Sequence, residues 1–564
     1  MTWNRDAERR RVWRRGTGAL WLAPLVFLLS GCHARRPAAP LTAAGVEQVA
    51  MGAADAPALV ESFEGLGNGF TGPQGRAALR NPSDNTLAVG RDHIVQVVNT
   101  RLAIFSRRGA RFDSTGRVLY GPVPTNTLFH GAGGACGRRN SGDAVARYDQ
   151  LADRWLVVIP VFQRSEWHAD DPEPPAPGGP ARLSQPFRAD QPGPAVPLFV
   201  PAPAIDTLGP RPPAPRDSGT YAMCYAVSAT ADPTGAWYRY EFIRPLFPDY
   251  PRPAVWPDGY YVPTSTGDDV IEKHACVVDR ARMLRGEPAT EQCVVISGVN
   301  FLNNVDLDGP TLPPAGAPNI MLAAGGTQLR GQLTDSVLHA WSFHVDWNDV
   351  TQTRVSGPVP IAVAPYRYLC GGQLTNCVPQ PGVERRLDAQ GDKLMARVVY
   401  RRIGNRESIV AVHSVDTESR GGGVRWYELR VNADRTLHVA QQGTFAPDSG
   451  FRWLGSPAID RFGDIGIGYS FGSATAAPGQ RFAGRRAGDP RGRLTLREQV
   501  LVHGAGSQSG TLRWEDYTQT AIDPRDDCTI WYVGDYLAAG ATSYSSRIGA
   551  FRLPACARAA VRAR

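Results

Sequence analysis

Acidic residues recur at one place in this chain, just ahead of short apolar segments. Asp84 precedes Leu87-Ala88-Val89, Asp143 precedes Val145-Ala146, Asp249 and Tyr250 precede Ala254-Val255-Trp256, and Asp516 and Tyr517 precede Ala521-Ile522. Asp388 and Asp392 flank the turn that enters Leu394. Carboxylates brought together in this way would coordinate Ca²⁺, which takes hard oxygen ligands, or would supply a general acid and base. The plainer alternative is that each aspartate bonds the backbone of its own turn. The predicted ligand site is therefore Asp84, Asp143, Asp249, Tyr250, Asp392, Asp516 and Tyr517, with no residue assigned a catalytic role and Ca²⁺ as the one cofactor considered.

Whether these acids meet depends on the elements that carry them. Helical periodicity is nearly absent, and the informative segments are short, rich in Val, Ile, Tyr and Trp, and broken by Asp, Gly and Pro. Strand, Asp/Gly turn, strand units are anchored at residues 88, 146, 254, 387, 458 and 521, with intervals of 58, 108, 133, 71 and 63. The interval of 108 contains a Pro-rich insertion, about 170–217, whose composition cannot build a core. The interval of 133 is about two periods, which predicts a further unit around Asn319–Ala324 and Leu338–Val345. Seven units of about 60 residues then cover 84 to 555.

Such a repeat matches a blade of a β-propeller, whose innermost strands line a channel. Acids ahead of those strands would converge at one mouth. The predicted fold is all-β, a seven-bladed β-propeller; the alternative is tandem β-sandwiches, disfavoured because no linker separates the units.

The amino end predicts export. Residues 1–31 run from an arginine-rich head through an apolar stretch too short to span a bilayer, which reads as a signal peptide. Leu29-Ser30-Gly31-Cys32 resembles the lipobox of bacterial lipoproteins, which makes Cys32 the lipidated residue and the membrane a partner. By the same resemblance His33, standing where an inner-membrane retention signal has Asp, favours the outer membrane over the inner. Residues 32–56 are Ala/Pro-rich and read as a tether, 57–556 as the propeller, and 557–564 as a disordered basic tail.

Eight further cysteines in an oxidising compartment argue for disulfides. Neighbour pairing gives Cys276–Cys293, Cys370–Cys377 and Cys528–Cys556, with Cys136–Cys224 by elimination. No C-x-x-C or HExxH spacing points to a metal. The net charge is +8, of which the first 31 residues carry about half, too little on the remainder for a nucleic-acid footprint. Only Lys273 and Lys393 are lysines; all other basic residues are scattered arginines, a bias that reads as genome composition.

Runs such as Tyr148-Asp149-Gln150-Leu151-Ala152-Asp153-Arg154-Trp155, Phe247-Pro248-Asp249-Tyr250-Pro251, Trp256-Pro257-Asp258-Gly259-Tyr260-Tyr261 and Asp516-Tyr517 with Asp523-Pro524 resemble a family of secreted, uncharacterised bacterial proteins of sialidase-like architecture. The resemblance covers about 57–556; it implies export and a propeller, and no activity. Sialidase chemistry would need an arginine triad and a Tyr/Glu pair, for which Glu515, Asp516, Tyr517, Arg397 and Arg401 supply the types. Phe551-Arg552-Leu553-Pro554 imitates the sialidase arginine signature at the wrong end of the chain, and Asp460–Ile467 is a loose echo of an Asp-box. Gly468-Tyr469-Ser470-Phe471-Gly472 matches a nucleophile elbow but is followed by no helix, and Gly131–Gly137 lacks the βαβ surroundings of a dinucleotide loop. The expected protein is a monomeric, lipid-anchored envelope module that binds a glycan or protein ligand at the channel mouth. A glycan-active hydrolase or lyase at the same mouth is the alternative.

Overall fold

The computed structural model describes residues 43–79, 81–165, 199–201, 220–244, 247–266, 272–297, 301–325, 337–372, 376–541 and 543–562. The predicted signal segment 1–31, Cys32 and most of the Pro-rich insertion lie outside them. Among the described residues no helix is long and apolar enough to cross a membrane.

The fold is all-β with a propeller-like arrangement, built from successive antiparallel runs of four strands. The first is Thr86–Val89, His93–Val98, Arg101–Ser106 and Val118–Pro124. The next is Val145–Asp149, Arg154–Ser165, Thr220–Ser228 and Trp237–Arg244. Ala254–Trp256, Gly259–Thr266, Glu272–Val278 and Glu291–Ser297 follow, with Phe199–Pro201 from the insertion added in parallel to Glu291–Cys293. A larger sheet joins three more such runs, which begin at Asn303–Leu307, Val398–Ile403 and Phe451–Ile459. The last run is Gln519–Ile522, Ile530–Tyr536 and Ser545–Arg552, and its outer strand comes from the far end of the chain, Ala58–Glu64.

Burial falls from the innermost strand outward. Thr86–Val89 and His93–Val98 are buried throughout, as continuous apolar runs covered on both faces should be, whereas the outer strand Arg354–Ala362 is mostly exposed. The innermost strands touch in sequence: Thr86–Val89 meets Val145–Asp149, which meets Ala254–Trp256, then Asn303–Leu307, Val398–Ile403, Phe451–Ile459 and Gln519–Ile522, which returns to Thr86–Val89. This ring excludes tandem sandwiches, whose sheets would pair face to face.

Buried polar groups lock neighbouring inner strands together. Ala146 N donates to Thr86 Oγ1 at 3.2 Å, Arg147 Nε to Pro253 O at 2.9 Å, and Val255 N to Asp306 Oδ1 at 2.8 Å. Arg397 Nε reaches Asp306 at 2.7 Å while its other fork meets Asp308, which also accepts from Ile459 N at 3.1 Å. Thr520 N donates to Ser456 Oγ at 3.0 Å, and Gln519 donates to the carbonyls of Leu87 and Ala146. The belt surrounds a cavity of about 30 Å³, room for a single water.

Several boundaries differ from the sequence reading. Leu387 is not in an innermost strand; it lies in Val383–Asp388, a hairpin with Asn376–Gln380. Asn319–Ala324 is a second strand, because the innermost one is Asn303–Leu307, whose polar sequence hides it from an apolar search. Part of the predicted tether is docked: Glu47-Gln48 pairs in parallel with Thr444-Phe445, and Gln48 bonds both backbone groups of Leu494. Pro554–Arg562, predicted as a loose tail from 557, forms a helix, since Pro presets its first turn, alanines favour it and Cys556 pins it to Cys528. That bridge joins the turn before a second strand to the helix after a third, not an inner to an outer strand. All four disulfides have the pairing read from spacing, Cys136–Cys224, Cys276–Cys293, Cys370–Cys377 and Cys528–Cys556, and they argue for an extracytoplasmic location.

Candidate functional site

A left-handed backbone residue recurs just ahead of the innermost strands. Asp84 has φ 49°, Asp143 50°, Tyr250 56° and Asp516 69°, each ahead of its strand, and Leu454, inside Phe451–Ile459, has 53°. Such a turn is tolerable for Asp and strained for Tyr or Leu, so the surrounding packing must hold it. Its effect is to deliver acids from separate sheets to one place.

Asp143 stands between Asp84 and Asp249, near enough for each carboxyl to act on the next. Burial first, and then the neighbouring acids, push Asp84, Asp143 and Asp249 well above the usual carboxylate range. Asn99 Nδ2 fixes Asp84 at 2.8 Å, and the Asp84 N–H donates to Glu515 O at 2.8 Å. Asp249 is anchored by paired backbone bonds with Ser265 at 3.0 and 2.9 Å. Asp516 pairs with Arg513, and its carbonyl accepts from Tyr250 Oη at 2.7 Å. Asp388, carried in by the side hairpin, accepts two 2.9 Å bonds from Gln390, and burial pushes its carboxyl up to about 7.

Cations face this cluster from the same mouth. Lys393 Nζ lies 3.2 Å from Asp392 and bonds Gln390. Lys273 is fully buried, and burial pulls its amine down to about 7 against the opposing pull of Asp392. Arg252 stacks on Tyr250 with its guanidinium carbon 3.5 Å from the ring centre. Tyr250 packs edge-on against Tyr517 at 5.2 Å and Phe301 at 5.1 Å. Two buried donors in this mouth have no hydrogen-bond partner, Tyr517 Oη and Arg252 Nη2.

All seven residues of the predicted ligand site therefore meet. Sequence reasoning missed Arg252, Lys273, Phe301 and Lys393. For the lysines the signal was present: a chain that uses arginine everywhere else keeps its only two lysines here. Arginine cannot lose its proton in a protein and lysine can, so these two positions differ chemically from the arginines used elsewhere.

Lys393 and Arg513 answer part of the acids' charge, through Asp392 and Asp516. Among the described residues, the groups with three ligand atoms within 4.8 Å of one another are Cys276, Glu291 and Cys293, and Asp526, Cys528 and Cys556, both of which count sulfurs already in disulfides.

The other candidate chemistries disperse. Arg397 is spent on Asp306 and Asp308, and Arg401 on Asp527 and Ile459 O, so no arginine triad forms with Asp516 and Tyr517. Glu515 accepts from Ser470, Gln480 and Asp535 N. Ser470 is fully buried inside the strand Ile465–Gly472 and bound to Glu515, not raised on an elbow. Asp460 staples its turn by accepting from Phe462 N at 2.8 Å and Asp464 N at 3.0 Å, with Gly463 at φ 81°. Arg552 pairs with Asp526, and the Gly131–Gly137 loop enters a short helix whose first N–H groups are held by Glu241.

No protein-family profile matches the chain, and no curated protein matches it. Among solved structures, a polysaccharide lyase described as an ulvan lyase is 10% identical, with 88% of this chain and 94% of that one covered and a TM-score of 0.36. A second polysaccharide lyase is 10% identical over 89% and 98%, with a TM-score of 0.37. The WD40 domain of SCAP from fission yeast is 9% identical over 82% and 94%, with a TM-score of 0.30. Likeness at this level transfers neither residues nor activity.

Proposed function

We propose that the chain is a lipid-anchored, seven-bladed propeller of the outer cell envelope that binds a glycan at the aspartate–lysine mouth. Seven four-strand runs and a closed ring of inner strands support the blade number. The lipobox-like Leu29-Ser30-Gly31-Cys32 supports anchoring through Cys32. The observation that carries the binding reading is the convergence of Asp84, Asp143, Asp249 and Asp516 around the partnerless donors Tyr517 Oη and Arg252 Nη2. Sugar hydroxyls both donate and accept, so they answer carboxylates and unpaired N–H or O–H groups at once. A glycan array probed with the disulfide-intact protein should show binding that Asp143→Asn and Asp249→Asn weaken. Binding that survives both substitutions, or a protein ligand captured at another surface, would refute the mouth as the glycan site.

A second reading, glycan cleavage, is favoured by one observation. Lys273 faces Asp249 in the same mouth; burial raises the Asp84, Asp143 and Asp249 carboxyls and pulls the Lys273 amine down to about 7, so groups able to give and to take a proton stand together. Release of reducing ends or unsaturated products from a bound polymer, lost on Asp516→Asn with binding retained, would establish it; turnover unaffected by that change would not.

A further inference from the structure

Away from the mouth, the amino end runs as a strap across the outer strands of three successive four-strand runs. Glu47-Gln48 pairs with Thr444-Phe445, Ala54 bridges to Leu496, and Ala58–Glu64 completes the sheet of Ser545–Arg552. Where the strap begins, it walls an open pocket of about 470 Å³. Val46 and Glu47 line one side, Val439 and Ala440 of the outer strand Leu437–Phe445 another, and Arg491 and Arg493 a third. The loop that carries these arginines is fixed from within. The buried Arg485 guanidinium donates to the carbonyls of Asp489, Pro490 and Arg493 at 2.8, 2.8 and 3.1 Å. Gly492 N donates to Gln441 Oε1 at 3.0 Å, and Gln48 clamps Leu494 through both its backbone groups.

That scaffold leaves Arg491 and Arg493 without a task in the fold. Both are exposed, and among the described residues neither side chain donates a hydrogen bond or pairs with a carboxylate. Glu47 lines the same space with one oxygen in use, accepting from Glu418 N at 3.2 Å; the other, Oε1, is buried with no donor. Apolar surface continues from the rim, where Val49 is 67% and Met51 40% exposed. Eleven residues separate Cys32 from Ala43, so a chain held at Cys32 reaches no more than about 40 Å from the start of the strap. Guanidinium forks match phosphate oxygens, a partnerless carboxylate oxygen needs an N–H donor, and exposed apolar side chains gain from leaving water. An ethanolamine phospholipid carries the answer to all three: a phosphodiester, an ammonium and acyl chains.

We propose that this pocket is a headgroup site for an ethanolamine phospholipid, with Arg491 and Arg493 on its phosphate, Glu47 Oε1 on its ammonium, and Val49 and Met51 against its acyl chains. The inference rests on the anchoring reading and adds where the fold meets the membrane: along the strap, on outer strands, away from the aspartate mouth. A choline headgroup offers the same phosphate and no N–H, so Glu47 distinguishes the two. Because the strap and the arginine loop share the Gln48–Leu494 clamp, one bound headgroup would hold both against the leaflet that carries the anchor.

The test uses the oxidised full-length chain with Cys32→Ser, so that no acyl group contributes. Dihexanoyl phosphatidylethanolamine, below its micelle concentration, is titrated calorimetrically against dihexanoyl phosphatidylcholine and inorganic phosphate. The ethanolamine lipid should bind about tenfold tighter than the choline lipid, and inorganic phosphate more weakly than either. Arg491→Gln combined with Arg493→Gln should weaken both lipids about tenfold or more and leave the melting temperature unchanged, since neither side chain holds the fold. Glu47→Ala should erase the difference between the headgroups, and Arg497→Gln, exposed but outside the pocket, should change nothing. No lipid binding, binding untouched in the double arginine variant, equal affinity for the two headgroups, or inorganic phosphate held as tightly as lipid would each overturn the proposal, the last by marking a free-phosphate site. Mass analysis of the wild-type Cys32 peptide decides the anchor separately. An unmodified Cys32 refutes anchoring whatever the pocket binds, and an acylated Cys32 beside a silent pocket refutes the headgroup site alone.

Discussion

Two polar regions line the same inner strands and behave oppositely. In the belt of Arg147, Asp306, Asp308 and Arg397, each fork meets a carboxylate or carbonyl, and no side-chain nitrogen or oxygen of these four residues is buried without a partner. In the mouth, like charges are pressed together and two donors stay unanswered. The belt is buried and so is most of the mouth, with Asp143 and Asp249 half-buried, so burial alone does not separate them. Satisfaction does: a network that closes on itself holds sheets in register, whereas one that stays open costs stability and is maintained only for what completes it.

The largest test of this contrast is Arg397→Met. Removing it leaves Asp306 and Asp308 buried without their cation, and unfolding free energy should fall by about 3–5 kcal/mol in denaturant titrations at neutral pH. A loss below about 1 kcal/mol would mean the belt is not structural.

The mouth should respond in the other direction. Its carboxyls have folded-state pKa values above their unfolded ones, so the stability they contribute is full below about pH 4 and drains as pH rises toward 7 and beyond. Lys273, depressed to about 7, works the opposite way and restores stability between about 7 and 10. Melting temperature should therefore decline from pH 5 to pH 7.5. Asp143→Asn, which mimics the protonated acid, should raise stability by about 1–2 kcal/mol at pH 7.5 and change little at pH 4.5. An equal effect at both pH values would break the comparison.

Tyr517→Phe removes a hydroxyl that bonds nothing, so stability should move by no more than about 0.5 kcal/mol. Glycan affinity should still drop about tenfold, separating ligand use from folding. The smallest effect is expected from Ca²⁺: after chelation, adding it should not shift the melting temperature, because burial already drives the acids toward their protonated forms and Lys393 and Arg513 answer part of their charge. A rise of several degrees would put an ion among Asp84, Asp143 and Asp249.

The acid convergence was legible because the same residue type recurs at the same point of each unit, and a ring turns that recurrence into proximity. The disulfide map was legible because neighbouring cysteines in short strands have few other partners. Asn303–Leu307 was not, since Asn and Asp at its ends face a belt that only the assembled ring creates. Arg252 and Phe301 belong to no local pattern; Arg252 bonds Asn303 and Leu394 O, 51 and 142 positions away, and Phe301 meets Lys393 from a distant segment. The lysines were visible but were read as composition, because what distinguishes them from arginine is an environment that a sequence does not display.

The strand Ala58–Glu64 pairs with Ser545–Arg552, so Ser62 and Arg547, 485 positions apart, share a hydrogen bond. The first part of the circle to be synthesised must wait for the last before either edge is covered. Until that pairing forms, the sheet that ends at Ser545–Arg552 offers an unpaired border to any neighbouring chain. Completion by an early strand means a chain cut short before Ser545 stays sticky rather than merely smaller, because Ala58–Glu64 then has no edge to close.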